Sequence, residues 1–375
     1  MKCPYCNSQE TVSFYRAKIP NILSACHEEQ LKNVKIYPFE VEFCSACSLG
    51  FNATVLSDAE LKTIYDDYLY ISPMSGIGCS DYDETIQNIK DYANTEDSIV
   101  EIGCSEGYLL DQIRKAGYKN LLGIEPGPQA EIAKEKLGLN VIRGYFDENT
   151  KFEMPIDLFV LMHVYEHFND PFTILDAMKK SLSSSGKIII EVPFFDGYHH
   201  QHLFFYNLDF FERLCKDKKM KIVAYDTQRD TLHIVITHKD NQQYKSVKVP
   251  NSLKWSLEKA RQSYENFNLT IDRINILLQS NIGKKVYWWG AGSSSVIYLN
   301  QIERTLLAQS SLVIIDGDSN KWGRYIPGFD GLRVLSNKTI SKQNVDLIII
   351  ASSFYQEIKE DMAENDISAT FVEII

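Results

Sequence analysis

The 375-residue sequence has no apolar run long enough to cross a bilayer, and it does not open on a basic-then-apolar leader. The first absence excludes a membrane-spanning helix and a membrane partner. The second points to the cytoplasm, where the eight cysteines are expected to stay reduced. Net positive charge is missing too: 39 Lys and Arg stand against 50 Asp and Glu, a formal charge of −11. Binding a phosphate backbone needs a basic footprint, so this balance leads us to expect no nucleic-acid partner. Internal repeats and low-complexity tracts are absent as well. What remains is an ordinary globular composition, long enough for two or three domains with sizeable cores.

The chain is organised around Ser98-Ile-Val-Glu-Ile-Gly-Cys-Ser-Glu-Gly-Tyr-Leu-Leu110. Ile99, Val100 and Ile102 read as a buried strand, Gly103 and Gly107 bracket a tight turn, and Tyr108-Leu-Leu110 opens a helix. Such a junction brings backbone close to a ligand at the edge of an α/β sheet. A dinucleotide fingerprint would need a third glycine, which is missing. Gly103-Cys-Ser105-Glu-Gly107 spells a nucleophile elbow, but an elbow normally follows most of a hydrolase sheet, and only a cysteine-bearing segment and one helix precede this one. The third reading is a loop for S-adenosylmethionine (SAM), whose ammonium and sulfonium make an acid at the strand end useful. Glu101 is that acid. A second acid should cap the next strand to hold the ribose hydroxyls, and Leu121-Leu-Gly-Ile-Glu125, followed by Pro126-Gly127-Pro128, supplies it. The SAM reading is preferred. Its cofactor set is Glu101, Gly103, Cys104, Gly107, Glu125, Pro126, Tyr145, Phe146 and His163.

Ahead of this stretch, Cys3-Pro-Tyr-Cys6 and Cys44-Ser-Ala-Cys47 repeat one C-x-x-C spacing. Two such knuckles can hold one tetrahedral zinc with four thiolates, with no position left open for chemistry. The span between them is longer than in a common zinc ribbon and must carry its own structure. A redox role for either pair would call for a strand–helix junction, which neither occupies. Cys26 and His27, inside the span, read as loop or small-core residues. Ser57-Asp-Ala-Glu60 has capping-box spacing and leads into the tyrosine-dense Tyr65-Asp-Asp-Tyr68-Leu-Tyr70-Ile-Ser-Pro73. Asp81 to Tyr92 reads as an amphipathic helix.

Beyond Glu125 the alternation continues. A helix spans Gln129 to Leu137, and a strand from Leu139 to Arg143 ends at Gly144-Tyr145-Phe146, where a SAM enzyme contacts adenine. A buried strand, Asp157 to Met162, runs into His163-Val-Tyr-Glu166-His167, of which Tyr165 and Glu166 read as structural. A helix begins at Pro171, and Gly186 to Pro193 is the fifth strand. After a helix over Leu208–Asp217, Lys221–Asp226 and Leu232–Thr237 form a closing antiparallel pair, as in SAM-dependent methyltransferases and unlike dinucleotide folds. A polar linker, a long helix over Asn251–Ser280 and a second α/β unit follow. There, Gly290-Ala-Gly292 with Asp316 meets the dinucleotide pattern superficially; a phosphate-cradling or structural turn is the preferred reading.

With these residues in place, the whole chain resembles the SAM-dependent C-methyltransferases that act on nucleotide-linked deoxysugars. The likeness rests on the paired cysteine knuckles, the E-x-G-x-x-x-G loop with its later G-x-E-P, and the tyrosines Tyr68 and Tyr70. It also rests on the idiosyncratic run Asp316-x-Asp-x-Asn-Lys321-x-Gly323-x-Tyr325-x-Pro-Gly328. It implies an α/β protein with three parts: a zinc-binding domain over 1–70, a seven-stranded class I SAM-methyltransferase domain over 71–240, and a Rossmann-like domain over 251–375. The last would help bind a nucleotide sugar, and the protein would be a monomer or small homo-oligomer.

In that family the last histidine of a Tyr-His-Glu-His run is assigned to remove the proton at the methylated carbon. The corresponding run here is His199-His200-Gln201-His202, so the resemblance implies His202 as base. His167 matches another active-site histidine. Tyr68, Tyr70, Gln201 and His199 complete the implied catalytic set. Gln201 stands where the family has glutamate, and glutamine cannot share a proton as a carboxylate can. Methylation at oxygen or nitrogen, or a binding protein without catalysis, therefore stay open as alternatives to C-methylation.

Overall fold

The computed structural model describes residues 1–54, 56–57, 59–60, 81–195, 197–227, 231–250, 256–340, 345–352, 355–364, 367 and 369–374. The chain divides into two compact units. The first comprises Met1–Ser13, Val41–Asn52 and Ile71–Ala260; the second comprises Phe14–Glu40, Ala53–Tyr70 and Arg261–Ile375. Tyr68 and Tyr70 lie outside the described residues.

The span between the cysteine knuckles carries β1 (Thr11–Pro20), a short helix at Glu28–Leu31 and β2 (Ile36–Cys44), with β3 (Gly50–Asn52) after the second knuckle. The SAM-type sheet follows. It contains β4 (Ser98–Ile102), β5 (Asn120–Glu125), β6 (Val141–Arg143), β7 (Ile156–Met162), β8 (Leu182–Pro193), β10 (Met220–Asp226) and β11 (Thr231–His238), with the two-residue β9 (Phe204–Phe205) set apart from it. The strand order is β10-β11-β8-β7-β4-β5-β6. Only β11 runs against its neighbours, pairing antiparallel with both β8 and β10. This is the class I SAM-methyltransferase arrangement.

Hydrophobic periodicity accounts for these elements. Val100 and Ile102 are buried as β4 pairs in parallel with β5 on one side and β7 on the other. Strands covered on both faces read as continuous apolar runs, and Leu158-Phe-Val-Leu161 and Ile188-Ile-Ile190 are such runs. The helix Tyr108–Lys115 buries Leu109, Leu110 and Ile113 and leaves Arg114 and Lys115 at its solvent-facing end. These side chains join Ile89 from the helix Asp81–Tyr92 in one core with Ile99, Leu158 and Val160.

Two boundaries differ from the pattern reading. β8 starts at Leu182, four residues before Gly186, because Ser183 Oγ donates to Asp157 and ties a serine-rich stretch to the neighbouring strand. The helix after β5 ends at Glu135, since Leu139 N–H turns back to the Ala133 carbonyl and draws the chain inward early.

In the second unit, β12 (Lys285–Trp289), β13 (Ser311–Asp316), β14 (Val334–Ser336), β15 (Leu347–Ile350) and β16 (Thr370–Glu373) form an all-parallel sheet ordered β14-β13-β12-β15-β16. The long helix is described over Leu257–Ser280. Cys26 bridges to Tyr325 in this unit and is buried, so it is a core residue there. Among the described residues, no helix is long and apolar enough to cross a membrane.

Candidate active site

The carboxyl ends of the parallel strands gather the chemistry. At the end of β4 the backbone turns through Gly103 at φ +76°, Ser105 at φ +47° and Gly107 at φ +80°. All three sit in the left-handed region, which glycine adopts at no steric cost. Space is short as well: a Cβ on Gly103 would meet Val164 Cγ2 at 2.4 Å. Gly103→Ala is therefore expected to destabilise the protein by ~1–3 kcal/mol, the usual range for a strained backbone position, read as a shifted denaturation midpoint.

Two acids flank this turn. The Glu125 carboxylate accepts from Ser105 N–H at 3.0 Å and from Gly127 N–H at 2.6 Å, so its orientation is set before any ligand arrives. Glu101 is buried, and its Oε2 has no hydrogen-bond partner among the described residues. Burial, helped by the charge of Glu125, pushes its carboxyl up to about 8. Cys104 is buried in the same core, where burial pushes its thiol up. Pro126 is exposed at the turn. After β6 the expected adenine-side pair diverges. Tyr145 is 81% exposed, whereas Phe146 is buried against Phe152 and Phe159.

The loop after β7 brings a second group together. His163, at φ +51°, sits with Nε2 3.0 Å from Glu191 Oε1 and Nδ1 3.7 Å from Glu166 Oε1. Partial burial opposes its charge, but these carboxylates prevail and raise it to about 10. Glu191 in turn accepts from Thr85 Oγ1 at 2.8 Å and lies 3.3 Å from His233 Nδ1. Burial works against ionising Glu191, and its two histidines and Thr85 outweigh it, so its pKa is lowered.

His202 Nε2 lies 3.8 Å from Glu166 Oε1. Burial lowers the basicity of His202 far below the usual range, and His199, His167 and His163 add to that, so the imidazole is neutral. The same causes, burial and then His167 and His200, bring His199 down to about 3. The His199 and His202 rings lie 3.8 Å apart, and those of His167 and His202 4.9 Å. Gln201 meets His167 through its backbone: its carbonyl lies 2.7 Å from His167 Nδ1.

The structure thus brings His163, His167, His199 and His202 into one cluster with Glu166, a residue the sequence pattern reads as structural. Glu166, on a different loop, brings a carboxylate within 3.8 Å of His202. Tyr165 keeps a structural role, its hydroxyl donating to the Pro171 carbonyl at 2.8 Å. Glu191, His233 and Thr85 were not singled out from the sequence. The one available signal was a lone acid, Glu191, in the apolar run Ile188-Ile-Ile-Glu-Val192.

The four knuckle cysteines converge as their spacing implies. Cys3 and Cys47 Sγ are 3.6 Å apart, as are Cys6 and Cys44, and all four sulfurs lie within 4.8 Å of one another. A tetrahedron with Zn–S bonds of ~2.3 Å has edges of about 3.8 Å, so the donor set fits the ion. The knuckles also touch the histidine loop. Gly50 and Phe51 of β3 pair with Phe205 and Phe204 of β9, Asn52 N–H donates to the Leu203 carbonyl, and Asn207 donates to Ser48.

In the second unit Asp316 is occupied internally. It accepts from Ala291 N–H at 2.8 Å and Asp318 N–H at 2.8 Å, and it pairs with Lys321 at 3.0 Å. Both oxygens of this acid are therefore engaged within the fold, in line with a structural turn at Gly290-Ala-Gly292.

Residues 79–218 match the family described as a methyltransferase domain, and residues 282–373 match the one described as C2185-like, N-terminal. Together with the strand order, the first match makes this a class I SAM-methyltransferase fold. It is a broader match than the sugar C-methyltransferase family expected from the sequence.

Among curated proteins, the chain is similar to tRNA U34 carboxymethyltransferases. The one from Aliarcobacter butzleri is 29% identical over 29% of this chain and 38% of its own length. That from Campylobacter hominis is 30% identical over 26% and 37%, and that from Helicobacter acinonychis 28% over 32% and 50%. The chain spans half or less of the length of these relatives. A solved S-adenosylmethionine-dependent methyltransferase from Clostridium acetobutylicum superposes with a TM-score of 0.36 at 12% identity, over 48% of this chain and 98% of that one.

These names overturn the expectation, drawn from the charge of −11, that a nucleic-acid partner is excluded. The physical reason is that net charge sums over 375 residues, whereas phosphate contacts depend on a local footprint.

Proposed function

We propose that this chain is a SAM-dependent methyltransferase that activates its acceptor at the Glu166–His167–His202 cluster. The observation that carries the reading is Glu101, a buried carboxylate with an unpartnered oxygen, next to a Glu125 already oriented by two backbone N–H groups. A buried acid of this kind calls for a cation, and SAM brings an ammonium there and ribose hydroxyls for Glu125. The remaining SAM contacts are proposed at Gly103, Cys104, Gly107, Pro126, Tyr145, Phe146 and His163. Methyl transfer is an in-line displacement at a carbon already activated by its sulfonium leaving group. The protein's main work is then alignment of acceptor, methyl and sulfur, plus loss of the acceptor's proton. The four-cysteine cluster is proposed to hold a structural zinc.

The resemblance described above favours a nucleotide-linked keto sugar as acceptor. The names of the curated relatives favour a tRNA uridine. Mass spectrometry of products after incubation with SAM and either nucleotide 4-ketosugars or unmodified tRNA separates the two. Absence of SAM binding would defeat the reading altogether. Removing the ribose acceptor in Glu125→Ala is expected to weaken SAM binding by ~1–3 kcal/mol, the cost of leaving buried polar groups unpaired. Calorimetry that returns the wild-type affinity for this variant would remove Glu125 from the pocket.

A further inference from the structure

Three observations converge on Glu166, and together they ask for a cation. Glu166 is 1% exposed, and neither carboxylate oxygen has a hydrogen-bond partner among the described residues. Its nearest ion-pair partners are imidazole nitrogens of His163 at 3.7 Å and His202 at 3.8 Å, both beyond hydrogen-bond distance, and His163 is held closer, at 3.0 Å, by Glu191. A buried carboxylate this poorly compensated is costly unless something positive completes it.

The second observation is the donor set. One ligand atom each from Glu166, His167 and His202 lies within 4.8 Å of the other two. The third is the tautomer of His167. Its Nδ1 lies 2.7 Å from the Gln201 carbonyl. A carbonyl can only accept, so Nδ1 carries the proton and the lone pair of the neutral ring is on Nε2. A ligating histidine whose other nitrogen donates to a backbone carbonyl is the usual outer support of a metal site.

We propose that Glu166, His167 and His202 bind a divalent first-row transition-metal cation at the acceptor end of the sheet. Two imidazoles and one carboxylate suit manganese, iron, cobalt, nickel or zinc better than calcium or magnesium, and three protein ligands leave positions open for an acceptor oxygen. The site is separate from the four cysteines, whose thiolates select a softer, closed tetrahedral ion. Its placement on the acceptor side rests on the methyltransferase reading. With metal bound, His202 serves as a ligand, in place of the free-base role that the resemblance implies for it.

The test uses the full chain, stripped with chelator, reloaded with one equivalent of zinc for the cysteines, and titrated with Mn2+ followed by electron paramagnetic resonance. The expected result is about one Mn2+ per chain beyond the zinc, with affinity weakened at least ~10-fold in Glu166→Gln and in His167→Ala. SAM affinity and zinc content, measured in parallel, report whether each variant has kept its fold. Should either variant fail to fold, His202→Gln, on the other loop, provides the same test. No Mn2+ bound by a wild-type chain that binds SAM would overturn the metal site and leave the methyltransferase reading standing. Mn2+ bound equally by wild type and folded variants would overturn the assignment of these ligands. A chain that binds Mn2+ but not SAM would instead remove the methyltransferase reading while keeping the metal.

Discussion

Glu101→Gln is expected to make the ligand-free protein more stable at pH 8–9 while removing most of its SAM affinity. The carboxyl stands at about 8 in the folded chain because burial, aided by Glu125, disfavours its charge. An unfolded glutamate titrates near 4.3, so the folded state holds a proton that the unfolded state has lost between those values. Stability contributed by this group is therefore full below about pH 4, falls as pH rises, and reaches its lowest level above about 8. Glutamine carries no such titration, so the variant should lose less stability on going from pH 6 to 9.

Binding should show the converse. A SAM ammonium beside Glu101 favours the carboxylate, so SAM binding at pH 7 should release a proton from the protein. Calorimetry in buffers of different ionisation enthalpy counts that proton, and the variant should not release it. Loss of a buried charge partner typically costs ~3–5 kcal/mol, so affinity should drop by a factor of ~100 or more. Unchanged proton release in Glu101→Gln would place the titrating group elsewhere. Unchanged affinity would remove Glu101 from the cofactor site.

Loss of the zinc proposed for the four cysteines is expected to have the second large effect. Chelation, or Cys44→Ser, is expected to release one zinc per chain and lower the unfolding midpoint by ~10 °C or more. Structural zinc contributes folding energy outright, and each kcal/mol is worth ~2–4 °C in a domain of this size. The consequence should reach the active site, because β3 follows the second knuckle directly and pairs with β9 just beyond His202. Without the ion, β3 and the Asn207–Ser48 contact lose their anchor, and the His199–His202 loop should become protease-sensitive while the β4 loop keeps its SAM affinity. Protein that contains no zinc and whose four thiols alkylate freely would end this assignment. Chelation without any change in the midpoint would assign the ion a role other than holding the fold.

Much of this protein was legible from local sequence alone. The SAM-type sheet was, because its strands are continuous apolar runs and its turns carry glycines, both local signals. Helix Leu208–Asp217 was readable to the residue, since Asn207 caps it and its apolar spacing is regular. The placing of Glu101 and Glu125 on adjacent strands and the convergence of the knuckle cysteines were legible for the same reason: both follow from spacing within a few residues. The two short strands β14 and β16 were not, because three or four residues paired at a sheet edge leave no periodicity to read.

What only the tertiary structure decided is which side chains meet across loops. The resemblance has a glutamate where Gln201 stands beside His202; folding brings Glu166, 36 positions earlier, within 3.8 Å of that imidazole. It likewise brings Thr85 and His233 to Glu191 from elements more than 40 residues away on either side. Such meetings depend on strand order and loop path, which join residues without regard to their separation in the chain. The charge of a buried group follows the same rule. The apolar strand around Glu101 marks its place in sequence, but its raised pKa comes from the sheet that closes over it and from an acid on the next strand.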